Sequence, residues 1–190
     1  MKISNLKEEQ IAFALKQALS IRTAQPHEAE ALTHLTLVSK RFWGYSEEQL
    51  RRWEPQLTIT EDYIRKNDVL VAHSHDVLCG YAALIREPES EMISIGGRTI
   101  RGGVYLDNLF VLPEYMQQGF GRALTEEILR VCRTRGIGRI YIVSDPNARA
   151  FYEHMGAVLL GETPGSEIAR ALPFLELAID PASNAFRDQT

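Results

Sequence analysis

Cysteine is scarce in this chain, with two residues in 190, Cys79 and Cys132, far apart and each inside an apolar stretch. That excludes a disulfide framework and reads as two buried thiols in a reducing compartment. No apolar run approaches the ~20 residues a bilayer span needs. The opening residues 1–20 carry Glu8 and Glu9, which a secretory signal avoids. There is no basic block, and 21 Lys and Arg stand against 25 Asp and Glu for a net charge of −4. A binder of nucleic acid that works by neutralising phosphates is thereby excluded. Repeats, low-complexity tracts and interdomain linkers are also missing. What is present, 45% apolar and 24% charged residues, is ordinary for a globular protein. The expectation is one cytoplasmic domain over residues 1–190 with a small-molecule site, and with no nucleic-acid or membrane partner.

Periodicity supplies the elements. Ile11, Ala14, Leu15 and Ala18 share a face of a helix over 5–18, which packs on the sheet or on a partner subunit; a homodimer is one option left open. Residues 19–24 read as a strand, Pro26 to Val38 as a helix, and 39–67 as mostly helical with Ser46 as N-cap. Strands follow at Val69–His73 and Val77–Ile85, joined by a polar turn at residues 74–76. Glu87 to Gly103 reads as a charged, glycine-rich connection, and Glu87 to Glu91 as a solvated loop. Val104 to Leu112 is apolar on both faces, as a covered central strand would be. A helix over 121–135, a strand over 139–144, a short helix over 147–155 and strands over 157–162 and 172–179 complete the core, before a tail at 180–190. Hairpins early and βαβ units late predict an α/β fold, a mixed sheet of about seven strands with helices on both faces.

The chemistry lies between Tyr105 and Gly156. Gly119 and Gly121 stand where a loop becomes a helix, a place where bare N–H groups and the helix dipole make an anion cradle. A Gly-x-Gly at a helix start is equally compatible with no ligand. A dinucleotide fingerprint is the rival reading, with Asp145 ending the next strand. It fails because its third glycine would fall on Leu124, and a loop containing Pro113 replaces the tight strand-to-helix turn.

Three pieces in order carry a resemblance: Leu109-Phe-Val followed by Pro-Glu-Tyr115, the loop Met116-Gln-Gln-Gly-Phe-Gly121, and Asn147-Ala-Arg-Ala-Phe-Tyr-Glu-His-Met-Gly156. The chain resembles the GCN5-related N-acetyltransferases, and the order of elements over 19–179 resembles their fold, an acyl-CoA N-acyltransferase sheet. One departure is Met116, where the family has Gln or Arg; backbone N–H groups do most of the phosphate holding, and Gln117, Gln118 and Arg122 offer polar atoms nearby.

The resemblance implies acetyl-CoA as donor, CoA as product, and direct attack by an amine of a small molecule or peptide. Met116, Gln117, Gln118, Gly119, Phe120, Gly121, Arg122 and Ala123 would hold the pyrophosphate. Phe110 and Val111 would pair with the pantetheine arm at a bulge, with the Val111 N–H on the thioester carbonyl. Asn147 would bond the same arm and Tyr152 would protonate the leaving sulfur; packing beside Phe151 is the alternative for Tyr152. Asp107 is the best-placed base, equally readable as a structural carboxylate, with Glu114, Tyr105 and Tyr45 behind it. A degenerate CoA-binding sensor is the non-enzymatic alternative. No metal site is expected: His73-x-His75 reads as a polar turn, His154 as a surface residue, and Trp43-Gly44-Tyr45 as core aromatics or acceptor contacts. The negative net charge suits a cationic acceptor.

Overall fold

The computed structural model describes residues 19–95, 97–163 and 171–180. The helix expected over 5–18 and the tail 181–190 lie outside the described residues. Among the described residues seven strands are β1 (Leu19–Thr23), β2 (Asp68–Ser74), β3 (Val77–Ile95), β4 (Arg98–Val111), β5 (Arg139–Val143), β6 (Val158–Thr163) and β7 (Leu172–Ala178). They lie in one sheet in the order β1-β2-β3-β4-β5-β7-β6. The helices are α1 (Ala29–Phe42), α2 (Glu47–Leu57), α3 (Glu61–Lys66), α4 (Phe120–Thr134) and α5 (Arg149–His154). The backbone forms two compact units, one comprising the described residues up to Ala83 with Asn108–Thr125, the other Leu84–Asp107 with those from Glu126 on.

In the first unit β1 runs antiparallel to β2, Leu19 opposite Ser74 and Thr23 opposite Leu70. Alternation along the strands puts Val69, Val71, Tyr81 and Ala83 in one cluster with Leu32 and Leu35 of α1 and Ile64 of α3. Burying each such side chain contributes roughly 1.5–3 kcal/mol. The hydroxyl of Tyr81, the largest of the fully buried side chains among the described residues, meets Thr36 Oγ1 at 2.6 Å. On the other face Leu124 of α4 stands 3.3 Å from where a Cβ on Gly80 would be. The expected cap of α2 is present: Ser46 Oγ accepts from the Gln49 N–H and Gln49 Oε1 accepts from the Ser46 N–H.

In the second unit β5 lies parallel to β4, with Tyr105 opposite Tyr141. It lies antiparallel to β7, with Arg139 opposite Ala178 and Val143 opposite Phe174. Ile140, Ile142, Leu175 and Leu177 are buried, as are Ile128 and Cys132 of α4. The mixed sheet therefore has parallel and antiparallel ladders, as expected.

Two expectations about β3 and β4 are corrected. Glu87 to Gly103 is not a loop: β3 continues to Ile95 and β4 begins at Arg98, so the two make one long hairpin. Its residues Pro88 to Met92 are exposed throughout, so backbone pairing holds it without the apolar alternation a sequence reader looks for. Gly102, buried at φ +53°, passes within 3 Å, at its missing Cβ, of the backbone of Glu87, Pro88 and Glu89. Likewise β4, though fourth of seven strands, is not covered on both sides: Asp107 is exposed, and Tyr105, Asn108, Leu109 and Phe110 are half-buried.

Candidate active site

The end of β4 is shaped by three contacts within the first unit. The Leu112 N–H donates to the Cys79 carbonyl at 2.8 Å. Two residues earlier, the Phe110 carbonyl oxygen lies 2.7 Å from the position a Gly80 Cβ would take, a place open only because residue 80 is glycine. The carbonyl oxygen thus crowds the Gly80 position, and the Val111 N–H belongs to the same planar peptide. The next peptide is pinned at both ends, because Ser39 Oγ on α1 donates to the Val111 carbonyl at 3.1 Å. A peptide held at both its oxygen and its nitrogen has a fixed orientation.

The loop that follows turns at Pro113–Tyr115 and passes through Gln117 at φ +60° and Gly119 at φ +91°. Nothing lies within 4 Å of the Gly119 Cβ position, so glycine is required there by the backbone alone. The Gly119 carbonyl accepts from the Ala123 N–H at 2.9 Å. The N–H groups of Phe120, Gly121 and Arg122, at the start of α4, have no helical acceptor one turn back. Gln118 Nε2 donates to the Glu114 carbonyl at 2.5 Å, bracing the loop across its mouth. Every residue from Phe110 to Ala123 named from the sequence thus falls in one unit, in a half-open loop with positive backbone potential.

Beside it α1 brings Lys40, whose Nζ stands 5.0 Å from the Tyr45 ring centroid and 5.7 Å from that of Phe110. Tyr45 meets Trp53 edge-on at 5.1 Å. Ser39, Lys40 and Gly80 were missed by sequence reasoning. Ser39 and Lys40 carry no signal in a helical pattern, and Gly80 sits in an apolar strand where a glycine could have been read as a close backbone approach.

The second unit holds the other candidates. Tyr152 is 6% exposed on α5, edge-on to Phe151 at 5.2 Å. Burial pushes its phenol well above the ordinary tyrosine range, and the Asp145 carboxylate adds to the rise. It therefore stays protonated, a donor and not a base. Asn147 is exposed, and its N–H is capped by Asp145 Oδ1 at 3.0 Å. Asp107, exposed on β4, shares a face with Tyr105, two residues before it. On that face the Tyr105 ring lies 5.5 Å from Tyr141 and 6.3 Å from Phe174. Burial, then Tyr141, then Glu87 raise the Tyr105 phenol, which disfavours it as a base. Glu114 is exposed on its loop. His73 contacts Arg22 at 3.4 Å, and no group of three metal-ligating side chains occurs among the described residues.

Comparison with known proteins shows the family of the chain. A model of the acetyltransferase (GNAT) family matches residues 30–157. The chain belongs to the GNAT family. The match takes in the β4 end, the glycine loop, α4, Asn147 and Tyr152. Among curated GNAT relatives, the L-ornithine N5-acetyltransferase NATA1 of Arabidopsis thaliana is 36% identical over 63 residues, 32% of this chain and 28% of that protein. The chain thus matches less than a third of that relative's length. Among solved structures, the PaiA N-acetyltransferase of Thermoplasma acidophilum, in complex with coenzyme A, has a TM-score of 0.62 at 17% identity, covering 84% of this chain and 98% of that one. A GNAT acetyltransferase of Brucella melitensis, in complex with acetyl-CoA, has a TM-score of 0.55 at 22% identity, covering 86% and 89%. At these identities the likeness is one of fold.

Proposed function

We propose that the protein is an acetyl-CoA-dependent N-acetyltransferase that moves an acetyl group directly to an amine in a ternary complex. The observation that carries this reading is the β4 end, where Gly80 makes room for the Phe110 carbonyl and the next peptide is held by Ser39 and Cys79. It is supported by family membership and by the CoA and acetyl-CoA complexes of the two solved relatives.

Acetyl-CoA supplies an activated thioester. The N–H groups at the start of α4 and the loop from Met116 to Ala123 receive the pyrophosphate, with Arg122 adding charge. Phe110 and Val111 align the pantetheine arm by backbone pairing, helped by Asn147. The Val111 N–H stabilises negative charge on the carbonyl oxygen as the amine adds. The new C–N bond forms as the C–S bond breaks. Asp107 takes the proton the amine nitrogen must lose, through water, and Tyr152 gives the thiolate sulfur its proton.

Thermal unfolding of the purified protein with acetyl-CoA, CoA or NAD tests the donor, because a ligand bound only by the folded state raises the midpoint. A shift with acetyl-CoA and CoA but not NAD, followed by amine-dependent thiol release, is expected. No shift with acetyl-CoA overturns the assignment. A shift with no turnover on any amine would favour the sensor reading, with Met116 its mark.

A further inference from the structure

The acceptor leaves a mark of its own in the first unit. On α1, Ser39 reaches the Val111 carbonyl at 3.1 Å, so the turn of helix that carries Lys40 abuts the donor end of β4. The Lys40 ammonium is held between two rings, 5.0 Å from the centroid of Tyr45 and 5.7 Å from that of Phe110. Aromatic faces hold a half-buried ammonium in position. An ammonium carries three donors and no acceptor, so it can take a carboxylate alongside any contact it already makes.

Resting on the N-acetyltransferase reading, we propose that Lys40 receives a carboxylate of the acceptor, so that the substrate class is a small amino acid and not a simple amine. Tyr45 and Phe110 hold the ammonium in place, and the acceptor's amine, a few bonds from its carboxylate, falls beside the end of β4.

The test is a panel of matched pairs that differ only by the carboxylate: ornithine with putrescine, lysine with cadaverine, phenylalanine with phenethylamine. The readout is thiol release with acetyl-CoA. Each amino acid is expected to exceed its partner in kcat/KM by about tenfold or more. Lys40→Met, which keeps the aliphatic stem, should bring the ratio close to one through the acceptor KM, while Lys40→Arg keeps most of it. Neither substitution should remove the acetyl-CoA thermal shift, which shows that the variants fold and load the donor. Equal rates within the pairs for the native chain, or an unchanged ratio in Lys40→Met, overturn the proposal while leaving the acetyltransferase standing. A native chain that gives no acetyl-CoA shift overturns both, and that result is read before any acceptor is added.

Discussion

The carbonyl oxygen of Phe110 lies where the side chain of residue 80 would stand, 2.7 Å from the missing Cβ of Gly80. Val111 Cγ2 and Leu124 Cδ1, at 3.2 and 3.3 Å from the same point, close off the space around it. A methyl group there has nowhere to go unless the Phe110 peptide moves. Gly80→Ala should therefore cost about 1–3 kcal/mol, the usual penalty of overpacking. It should also raise the KM for acetyl-CoA more than tenfold by misaligning the Val111 N–H, an estimate of about the same free energy. Unfolding curves and donor titration read the two effects separately, and a variant with native donor KM would detach the Gly80–Phe110 contact from donor binding.

Gly121→Glu separates stability from binding in the opposite way. Glutamate is a better helix former than glycine and lies favourably in a first helical turn, so the free protein should unfold at or above the native midpoint. The same carboxylate would face the pyrophosphate, so the shift caused by CoA should vanish. Retained CoA affinity would make the loop a structural turn only.

Tyr152→Phe should lower kcat by about tenfold to a hundredfold with little change in the acetyl-CoA KM, the pattern of a lost proton donor. Because burial and Asp145 hold the native phenol above its usual range, native kcat should show no alkaline fall from this group up to about pH 10. Native kcat in the phenylalanine variant would return the ring to packing.

The Glu28 carboxylate gives a stability prediction with a pH sign. It accepts both Arg22 Nη1 and Nη2 at 2.8 Å and the Gln25 N–H at 2.7 Å, and is 12% exposed. The Arg22 hydrogen bonds, against the cost of burial and with help from Gln25, hold it below the usual carboxylate range. The stabilisation is present above the unfolded-state value near 4.3 and is lost as pH falls through the lower folded value. Glu28→Gln should thus cost about 1–2 kcal/mol at pH 7, at the modest end because Arg22 is half exposed. The gap from the native chain should narrow below about pH 4.3. A gap constant down to pH 2 would mean that the charge contributes nothing.

Much of the fold was legible because its elements announce themselves locally. Ser46 with Gln49, the Gly-containing loop before α4, and the β1 and β7 strands follow from caps, glycines and alternation. The hairpin of β3 and β4 was not legible, because Glu87-Pro-Glu-Ser-Glu91 has the composition of a loop and is held by partners on the other strand. The donor half of the site was readable as a motif from Leu109 to Gly121. Its shaping residues were not, since Ser39 and Gly80 act on Val111 and Phe110 across gaps of 72 and 30 positions. Asp107 was found by position alone, and the structure puts it in the open beside Tyr105.

The peptide joining Val111 to Leu112 is gripped at its oxygen by a helix and at its nitrogen by a neighbouring strand. A single carbonyl vibration there carries information about both. An isotope label on Val111 would let infrared spectroscopy follow α1 and β3 through one bond. Ser39→Ala, which frees the oxygen alone, should move that band to higher frequency while the Leu112 amide stays slow to exchange. The acyl end of the strand comes with its own strain gauge.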